Sequence, residues 1–283
     1  MQIKYYPGTV FQTILYLIFG FIIATPFAAP FIFYEKQLSL VLPKDLSMIL
    51  IYLIVMSMLI FLAYFVNSIR NLNFIFNFKL VIISLLPFFL IGLFTFQLGL
   101  NLPFQKVLYF LIDVNRADSL YSWTYILSAL IFAPFFEEIL FRGIIFKGLL
   151  STYSSKKAII ISAIIFGIFH GQPAMIPGAI FLGLCFGYVY FKTNSLGLTI
   201  LLHSATNLFG LFASFMNRYL GNPNLKNISD IYGIFSFYLI GVLLICFVLT
   251  AIYVIKMEKN GLFLSAMNNR FIRRNMSFGR IKR

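Results

Sequence analysis

Residues 121–150 have the sequence YSWTYILSALIFAPFFEEILFRGIIFKGLL, a long apolar run that contains two adjacent carboxylates and an arginine. A run of this length exceeds the roughly 20 residues that a helix needs to cross a bilayer core of about 30 Å. Charged side chains inside such a run are costly in lipid, so their presence needs an explanation. The stretch predicts a membrane-spanning helix with a polar site built into it.

The whole chain has the composition of a polytopic membrane protein. Of its 283 residues, 61% are hydrophobic and only 11% are charged, and the mean hydropathy is +0.94. A soluble domain could not bury this much apolar surface, and a disordered chain would be far more polar. Both cysteines lie in apolar runs, so a disulfide framework is not predicted.

Outward from this stretch, further apolar runs predict an all-α bundle of about eight transmembrane helices. Lipid offers no partners for backbone hydrogen bonds, so helices are the only open-chain structures that can span it. The predicted spans are approximately 10–33, 46–66, 79–99, 121–150, 157–171, 174–191, 196–216 and 231–256. Gly171, Gln172 and Pro173 separate the fifth from the sixth, although a single broken helix would also explain this pattern.

The net charge of +14 is concentrated at the C-terminal end, which favours an anionic membrane surface over nucleic acid as its partner. With eight spans and a cytoplasmic N-terminus, most Lys and Arg residues fall in cytoplasmic segments, in agreement with the positive-inside rule. We predict a transmembrane domain over residues 1–256 and a basic cytoplasmic tail over 257–283. The first span is longer than the apolar region of a cleaved signal peptide.

Ionisable and amide side chains at membrane depth lie on three of the predicted helices. They are Glu137, Glu138 and Arg142 on the fourth span, His170 on the fifth, and His203 and Asn207 on the seventh. A rise of ~1.5 Å per residue from the cytoplasmic ends places Glu137 and His170 roughly 20 Å deep, and His203 about 16 Å deep. The polar groups of three helices therefore converge at one level, which predicts a shared site.

Spacing within the helices separates the two carboxylates. Glu138 and Arg142 are four residues apart and share a helix face, and an arginine at this depth needs an anion. Their pairing leaves Glu137 free to act as a general base. His203 and Asn207 have the same spacing. Phe166 and His170 have it as well, so the Phe166 ring can pack against one side of the imidazole.

Two imidazoles and a carboxylate can activate a water molecule in either of two ways. Glu137, His170 and His203 can hold a divalent metal ion, for which Zn²⁺ is the natural candidate. Alternatively, Glu137 deprotonates the water without a metal, while a histidine and Asn207 donate to the developing oxyanion. Both alternatives predict hydrolysis of an amide carbonyl.

Three motifs occur in order along the chain: EExxxR at 137–142, FxxxH at 166–170 and HxxxN at 203–207. Together they resemble the CPBP family of intramembrane proteases, also called the Abi or type II CAAX prenyl protease family, over roughly residues 121–216. The resemblance implies an eight-helix fold whose active site opens toward the cytoplasm. It also implies that Glu137 and His170 activate water, that His203 and Asn207 form the oxyanion side, and that Glu138 and Arg142 support them.

The resemblance leaves the metal and the substrate open. Members of the family are usually labelled metalloproteases, but a metal-free glutamate mechanism is also proposed for them. Eukaryotic members remove the last three residues of prenylated CAAX proteins, whereas bacterial members are linked to bacteriocin self-immunity and to peptide-signal processing. The Phe, Ile, Asn and Lys richness is typical of a low-GC bacterium, so we expect a membrane-associated peptide or protein substrate in a bacterial cell membrane.

Two functions other than proteolysis fit parts of the sequence. A non-catalytic membrane factor, such as a bacteriocin self-immunity protein, would need none of the predicted chemistry. A transporter with a proton relay is less favoured because no inverted repeat is visible and the acids lie on one helix. Gly183 and Gly187 have GxxxG spacing, which indicates close helix packing rather than ligand binding.

Overall fold

A computed structural model of the protein describes residues 5–33, 44–67, 123–173 and 175–220. All regular structure within these ranges is helical, as predicted. The helices are α1 (Val10–Phe33), α2 (Lys44–Val66), α3 (residues 123–150), α4 (Ser155–Phe169), α5 (Ile176–Thr193) and α6 (Leu196–Leu220). The predicted spans 79–99 and 231–256 and the basic tail lie outside the described residues.

Three of the described helices are long and apolar enough to cross a membrane. They are Val10–Phe33, Leu46–Val66 and Ile176–Thr193, with mean hydropathies of 2.0, 2.7 and 1.3. The membrane class is therefore confirmed, whereas the predicted count of eight spans is not. Helix α4 has 15 residues and a length of only about 22 Å. If it begins at the membrane surface, it ends inside a core of about 30 Å.

Helices α1 and α2 pack against each other through small side chains and one buried hydrogen bond. The buried residues of α1 recur every three or four positions along one helix face, and they are Thr13, Tyr16, Gly20, Ala24 and Ala28. The Tyr16 hydroxyl donates to the Leu59 carbonyl at 2.5 Å. Small residues let the two backbones approach closely, which is how helices associate in lipid.

Helix α3 alternates between α-helical and wider π-helical turns. It is π-helical over Ser128–Phe132 and again over Ile139–Phe146, and α-helical between and beyond these segments. At the end of the first π segment, the Ala133 N–H bonds to the Ser128 carbonyl, five residues back. The next residue, Pro134, has no N–H, so the Ala129 carbonyl has no donor at the corresponding position of the helix. Wide turns of this kind are frequent at functional sites.

Helices α4 and α5 form an antiparallel hairpin whose closest approach depends on glycine. A methyl group at Gly183 would lie 2.9 Å from Cα of Ala163, and one at Gly167 would lie 3.1 Å from the Ile176 carbonyl oxygen. At Gly187 the nearest atom would be at an ordinary contact distance of 3.4 Å. Gly183 thus has the close helix packing that the GxxxG spacing predicted. The fifth and sixth predicted spans are two helices rather than one broken helix.

The N-terminal segment ties several helix ends together at one face of the bundle. The Tyr6 N–H donates to Oδ1 of Asn67, and Nδ2 of Asn67 donates back to the Tyr6 carbonyl, both at 2.7 Å. Pro7 lies directly against Gly148, close to the end of α3. The start of α1 and the ends of α2 and α3 therefore meet here, and α4 begins five residues after α3 ends. We call this the N-terminal face.

Candidate active site

A buried network of three charged or ionisable side chains joins α3 to α6. Nη1 of Arg142 lies 2.9 Å from Oε1 of Glu138, and Nδ1 of His203 lies 3.0 Å from the same oxygen. The side chains are 1%, 0% and 5% exposed, respectively. The ion pair predicted from the i, i+4 spacing is present. Glu138 also binds His203, which the spacing within one helix could not predict.

The contact with Glu138 determines which nitrogen of His203 carries a proton. A carboxylate only accepts hydrogen bonds, so Nδ1 of His203 is the donor. Nε2 is then the nitrogen directed to the other carboxylate, at 3.9 Å from Oε2 of Glu137. Fixing one ring nitrogen through a carboxylate is a common way of orienting a functional histidine.

Arg142 is held between two aromatic rings as well as by its ion pair. Its guanidinium carbon lies 4.4 Å from the centroid of Phe166 and 5.3 Å from that of Phe186. Nη2 also approaches the Gly183 carbonyl at 3.4 Å. Cation–π contacts of a desolvated arginine contribute about 2 kcal/mol or more. Arg142 thereby links α3 to the α4–α5 hairpin and fixes the position of Glu138.

Glu137 has one oxygen bound to the protein and one that faces His203. The Tyr52 hydroxyl, on α2, donates to Oε1 of Glu137 at 3.1 Å. In the described part of the chain, the buried Oε2 has no hydrogen-bond partner, and neither do Oε2 of Glu138 and Nε of Arg142. Buried polar atoms without protein partners are usually hydrated. Glu137 therefore presents one unpaired carboxylate oxygen inside the site.

His170 ends α4 and borders the site through an aromatic ring. Its Nδ1 lies 2.8 Å from the Phe166 carbonyl oxygen, so Nδ1 donates and Nε2 is the nitrogen that can act as an acceptor. The Phe166 ring meets the imidazole of His170 edge to face at 4.7 Å, and it meets that of His203 at 5.8 Å. Both imidazoles therefore flank one ring. No hydrogen bond or ion pair joins His170 to Glu137 among the described residues.

Asn207 binds the carbonyl that the proline in α3 leaves free. Nδ2 of Asn207 donates to the Ala129 carbonyl oxygen at 2.8 Å. Pro134 cannot donate to this oxygen, because it lacks an N–H. The side chain amide thus stabilises the first π-helical segment of α3 from α6. A second amide hydrogen remains available, since the side chain of Asn carries two donor hydrogens.

The structure brings Glu137, Glu138, Arg142, Phe166 and His203 into direct contact through the network described above. His170 contacts this group through the Phe166 ring, whereas the contact of Asn207 is with the Ala129 carbonyl. Sequence reasoning missed Tyr52, Phe186 and Pro134. Phe and Tyr are too abundant in this chain for one of them to be conspicuous, with 36 Phe and 16 Tyr. The proline was a usable signal, because it lies three residues before Glu137 and has to free a backbone carbonyl.

Glu137, His170 and His203 are the ligands predicted for Zn²⁺. Within residues 5–33, 44–67, 123–173 and 175–220, no three or more His, Cys, Asp or Glu side chains are grouped so that they could hold a metal ion. Glu137 and His203 approach each other, but His170 does not complete a triad with them. The Zn²⁺ site predicted from Glu137, His170 and His203 therefore stays a prediction.

The described helices bring a carboxylate and an imidazole together in a buried, polar site. The family model described as type II CAAX prenyl endopeptidase Rce1-like matches residues 119–209. This match confirms the resemblance predicted from the three motifs, and it supports a membrane protease. No curated protein and no solved structure matches the chain.

Proposed function

We propose that the protein is an intramembrane endopeptidase in which Glu137 activates the attacking water. The observation that supports this proposal most strongly is the asymmetry of Glu137: Oε1 accepts from Tyr52, whereas Oε2 has no hydrogen-bond partner among the described residues and faces Nε2 of His203 at 3.9 Å. A water molecule bound to Oε2 would lie between a base and an imidazole. That is the arrangement expected for general-base hydrolysis.

The proposed reaction begins when Oε2 of Glu137 takes a proton from the water. The water oxygen forms a bond to the peptide carbonyl carbon, and the carbonyl oxygen becomes an oxyanion. When the C–N bond breaks, the proton held by Glu137 passes to the leaving nitrogen. The products are a carboxylic acid and an amine, and Glu137 returns to its starting state. His170, with Nε2 as an acceptor, is proposed to orient the water from the α4 side.

His203 and Asn207 are proposed to stabilise the oxyanion. An imidazolium at position 203 would donate from both ring nitrogens, and this is the form that the proposed role requires. In that form Nε2 carries an N–H directed into the site, while Nδ1 remains bound to Glu138. Asn207 offers the amide hydrogen that is not used by Ala129. Preorganised donors of this kind contribute about 2.7–4 kcal/mol each to transition-state stabilisation.

We propose the metal-free form of this mechanism. The support is the arrangement of the side chains: among the described residues, no hydrogen bond or ion pair joins His170 to Glu137, and no three His, Cys, Asp or Glu side chains are grouped so that they could hold a metal ion. Full activity after exhaustive chelation, with the metal content checked by elemental analysis, would agree with the proposal. Loss of activity on chelation and recovery with Zn²⁺ would contradict it.

For the topology, we propose eight spans with both termini in the cytoplasm of a bacterial cell. Helices α2 and α3 both end at the N-terminal face, and the eight-span prediction places one further span between them. The N-terminal face is also the face where α5 ends, close to Lys192, and where α4 begins, close to Lys156 and Lys157. Clusters of lysine at helix ends favour the cytoplasmic side.

The proposed substrate is a membrane-associated peptide or protein that reaches the site from within the lipid. A farnesylated peptide ending in a CAAX sequence serves as the first probe, because of the description of the matching family. The same peptide without the prenyl group, and a pool of bacterial membrane peptides, serve as the second and third. Cleavage products identified by mass spectrometry report both activity and the bond that is broken.

The test compares purified wild type with Glu137→Ala and His170→Ala in liposomes. Loss of the general base is expected to reduce the rate of cleavage by about 10²–10⁴-fold. Equal cleavage by all three proteins, or no cleavage of any probe by wild type, would contradict the proposal. The alternative of bacteriocin self-immunity without catalysis has no support from the family match, and no observation in the described residues favours it.

A further inference from the structure

We propose that Tyr52 is a positioning residue of the active site, which orients the carboxylate of Glu137 from α2. The inference rests on the proposed role of Glu137 as a general base. It assigns a function to a helix that lies outside the segment matched by the family model, residues 119–209. Helix α2 then completes the site, in addition to anchoring α1.

The geometry gives Tyr52 a directed contact. Its hydroxyl is the donor and Oε1 of Glu137 is the acceptor, at 3.1 Å across 85 residues of sequence. A hydroxyl has a single hydrogen, so this bond uses the donor of Tyr52 completely. With Oε1 held in place, rotation of the carboxylate is restricted and Oε2 stays directed at Nε2 of His203. Orientation of this kind is needed if the attacking water is to occupy one position.

The position of α2 does not depend on this hydrogen bond. Met56, Leu59 and Ala63 are completely buried in the core that α2 shares with α3. The Tyr16 hydroxyl also ties α1 to the backbone of α2 at Leu59. Loss of the Tyr52 hydroxyl should therefore leave α2 in place. The expected change is that the carboxylate of Glu137 can rotate more freely. An effect on activity without displacement of α2 distinguishes a positioning role from a structural one.

Phenylalanine at position 52 removes the hydroxyl and keeps the ring. We expect Tyr52→Phe to lower kcat by about ten- to hundredfold, because a hydrogen bond to a charged group and a small misplacement of a catalytic group have effects of this size. KM for the farnesylated CAAX peptide should change less than twofold, because Tyr52 acts through Glu137 rather than on the substrate. A rise in KM without a fall in kcat would overturn the proposal.

Two matched controls exclude a general effect of losing a tyrosine hydroxyl. Tyr64→Phe makes the same change on α2 at a side chain that is 37% exposed. Tyr16→Phe removes a buried hydroxyl that bonds to Leu59 instead of the site. Both should keep the kcat of wild type within about twofold, although Tyr16→Phe should lower the melting temperature. A fall in kcat in both controls as large as that in Tyr52→Phe would overturn the positioning role.

A second measurement tests the contact without any substrate. Tyr52→Phe, Glu137→Leu and the double variant form a double-mutant cycle for thermal unfolding in detergent, because leucine at position 137 has no acceptor for the Tyr52 hydroxyl. The effects of two contacting residues are not additive, so the double variant should be more stable than the sum of the single effects predicts. Additive effects would overturn the inference even if wild type cleaves peptides. A coupled cycle together with an inactive wild type would refute the proposed function and leave the contact established.

Discussion

The α1–α2 pair and the α3–α6 segment are both helical, apolar and packed, but they place their polar groups in opposite ways. Windows of both α1 and α2 are only 22% buried in the bundle, and their hydropathies are 2.0 and 2.7. Helix α3 instead buries Glu137, Glu138 and Arg142 near its middle. High hydropathy identifies α1 and α2 as candidate membrane spans. Buried charged side chains identify the α3–α6 segment as the candidate site.

This contrast shows that a polar site in a membrane protein can be recognised from side chains whose burial costs free energy. Buried charges need partners, and in the described structure Glu138 meets that need for both Arg142 and His203. The α1–α2 pair contributes the hydroxyl of Tyr52 to the site, and a hydroxyl in an apolar helix costs little free energy. Variants of the two regions should therefore differ in their effects on stability and on activity.

The largest effect on stability is expected from breaking the buried ion pair. Glu138→Leu leaves Arg142 without its anion and His203 without its acceptor, and the loss of one partner of a buried pair costs about 3–5 kcal/mol. Thermal unfolding in detergent measures this cost. The control is Lys156→Gln at an exposed position near the start of α4, for which we expect a change within about 0.5 kcal/mol. Equal losses of stability in the two variants would contradict the special role of the buried ion pair.

A smaller effect is expected at the glycine contact that brings the α4–α5 hairpin under Arg142. Gly183→Ala places a methyl group 2.9 Å from Cα of Ala163, and overpacking of this kind costs about 1–3 kcal/mol. Gly178→Ala is the matched change on the same helix, where the added methyl group meets no atom of the other described helices within 4 Å. It should be neutral or slightly stabilising, because Ala is the better helix former. Chemical denaturation of both variants checks the order, and equal costs would contradict the close packing.

A cost of about 1 kcal/mol is expected for Asn207→Leu, which removes the donor to the Ala129 carbonyl. The cost should fall when Pro134 is first replaced by Ala, since the new N–H at position 134 can bond to that carbonyl. Unfolding free energies of the two single variants and the double variant measure the coupling. If the cost of Asn207→Leu is the same in both backgrounds, Pro134 is not the reason for this contact.

The smallest effect is expected at the N-terminal face, far from the site. Asn67→Ala loses both hydrogen bonds to Tyr6, whereas Asn67→Asp keeps an acceptor for the Tyr6 N–H. We expect exchange of the Tyr6 amide hydrogen to be fastest in Asn67→Ala, intermediate in Asn67→Asp and slowest in wild type. Peptide cleavage should be unaffected in both variants. Equal exchange in all three proteins would show that Asn67 does not hold the N-terminal segment.

The sequence was sufficient to predict the features that depend on hydropathy, on helical spacing or on the free-energy cost of burying a charge. The runs 10–33 and 46–66 agree with α1 and with the candidate span Leu46–Val66, because length and hydropathy determine a span. The Glu138–Arg142 pair followed from spacing on one helix. Contacts between helices did not follow, since the spacing within a helix carries no information about its neighbours. The bonds of Tyr52 to Glu137 and of Asn207 to Ala129 are of this second kind.

The proposed mechanism depends on Glu137 as the base that activates water for peptide-bond cleavage inside the membrane. The most direct test is the cleavage rate of Glu137→Gln relative to wild type, in liposomes and with equal amounts of folded protein. Glutamine keeps the size of the side chain and an oxygen that can accept from Tyr52, but it cannot take up the proton. We predict a rate lower by about 10²–10⁴-fold with an unchanged cleavage site. A rate within twofold of wild type would contradict the account.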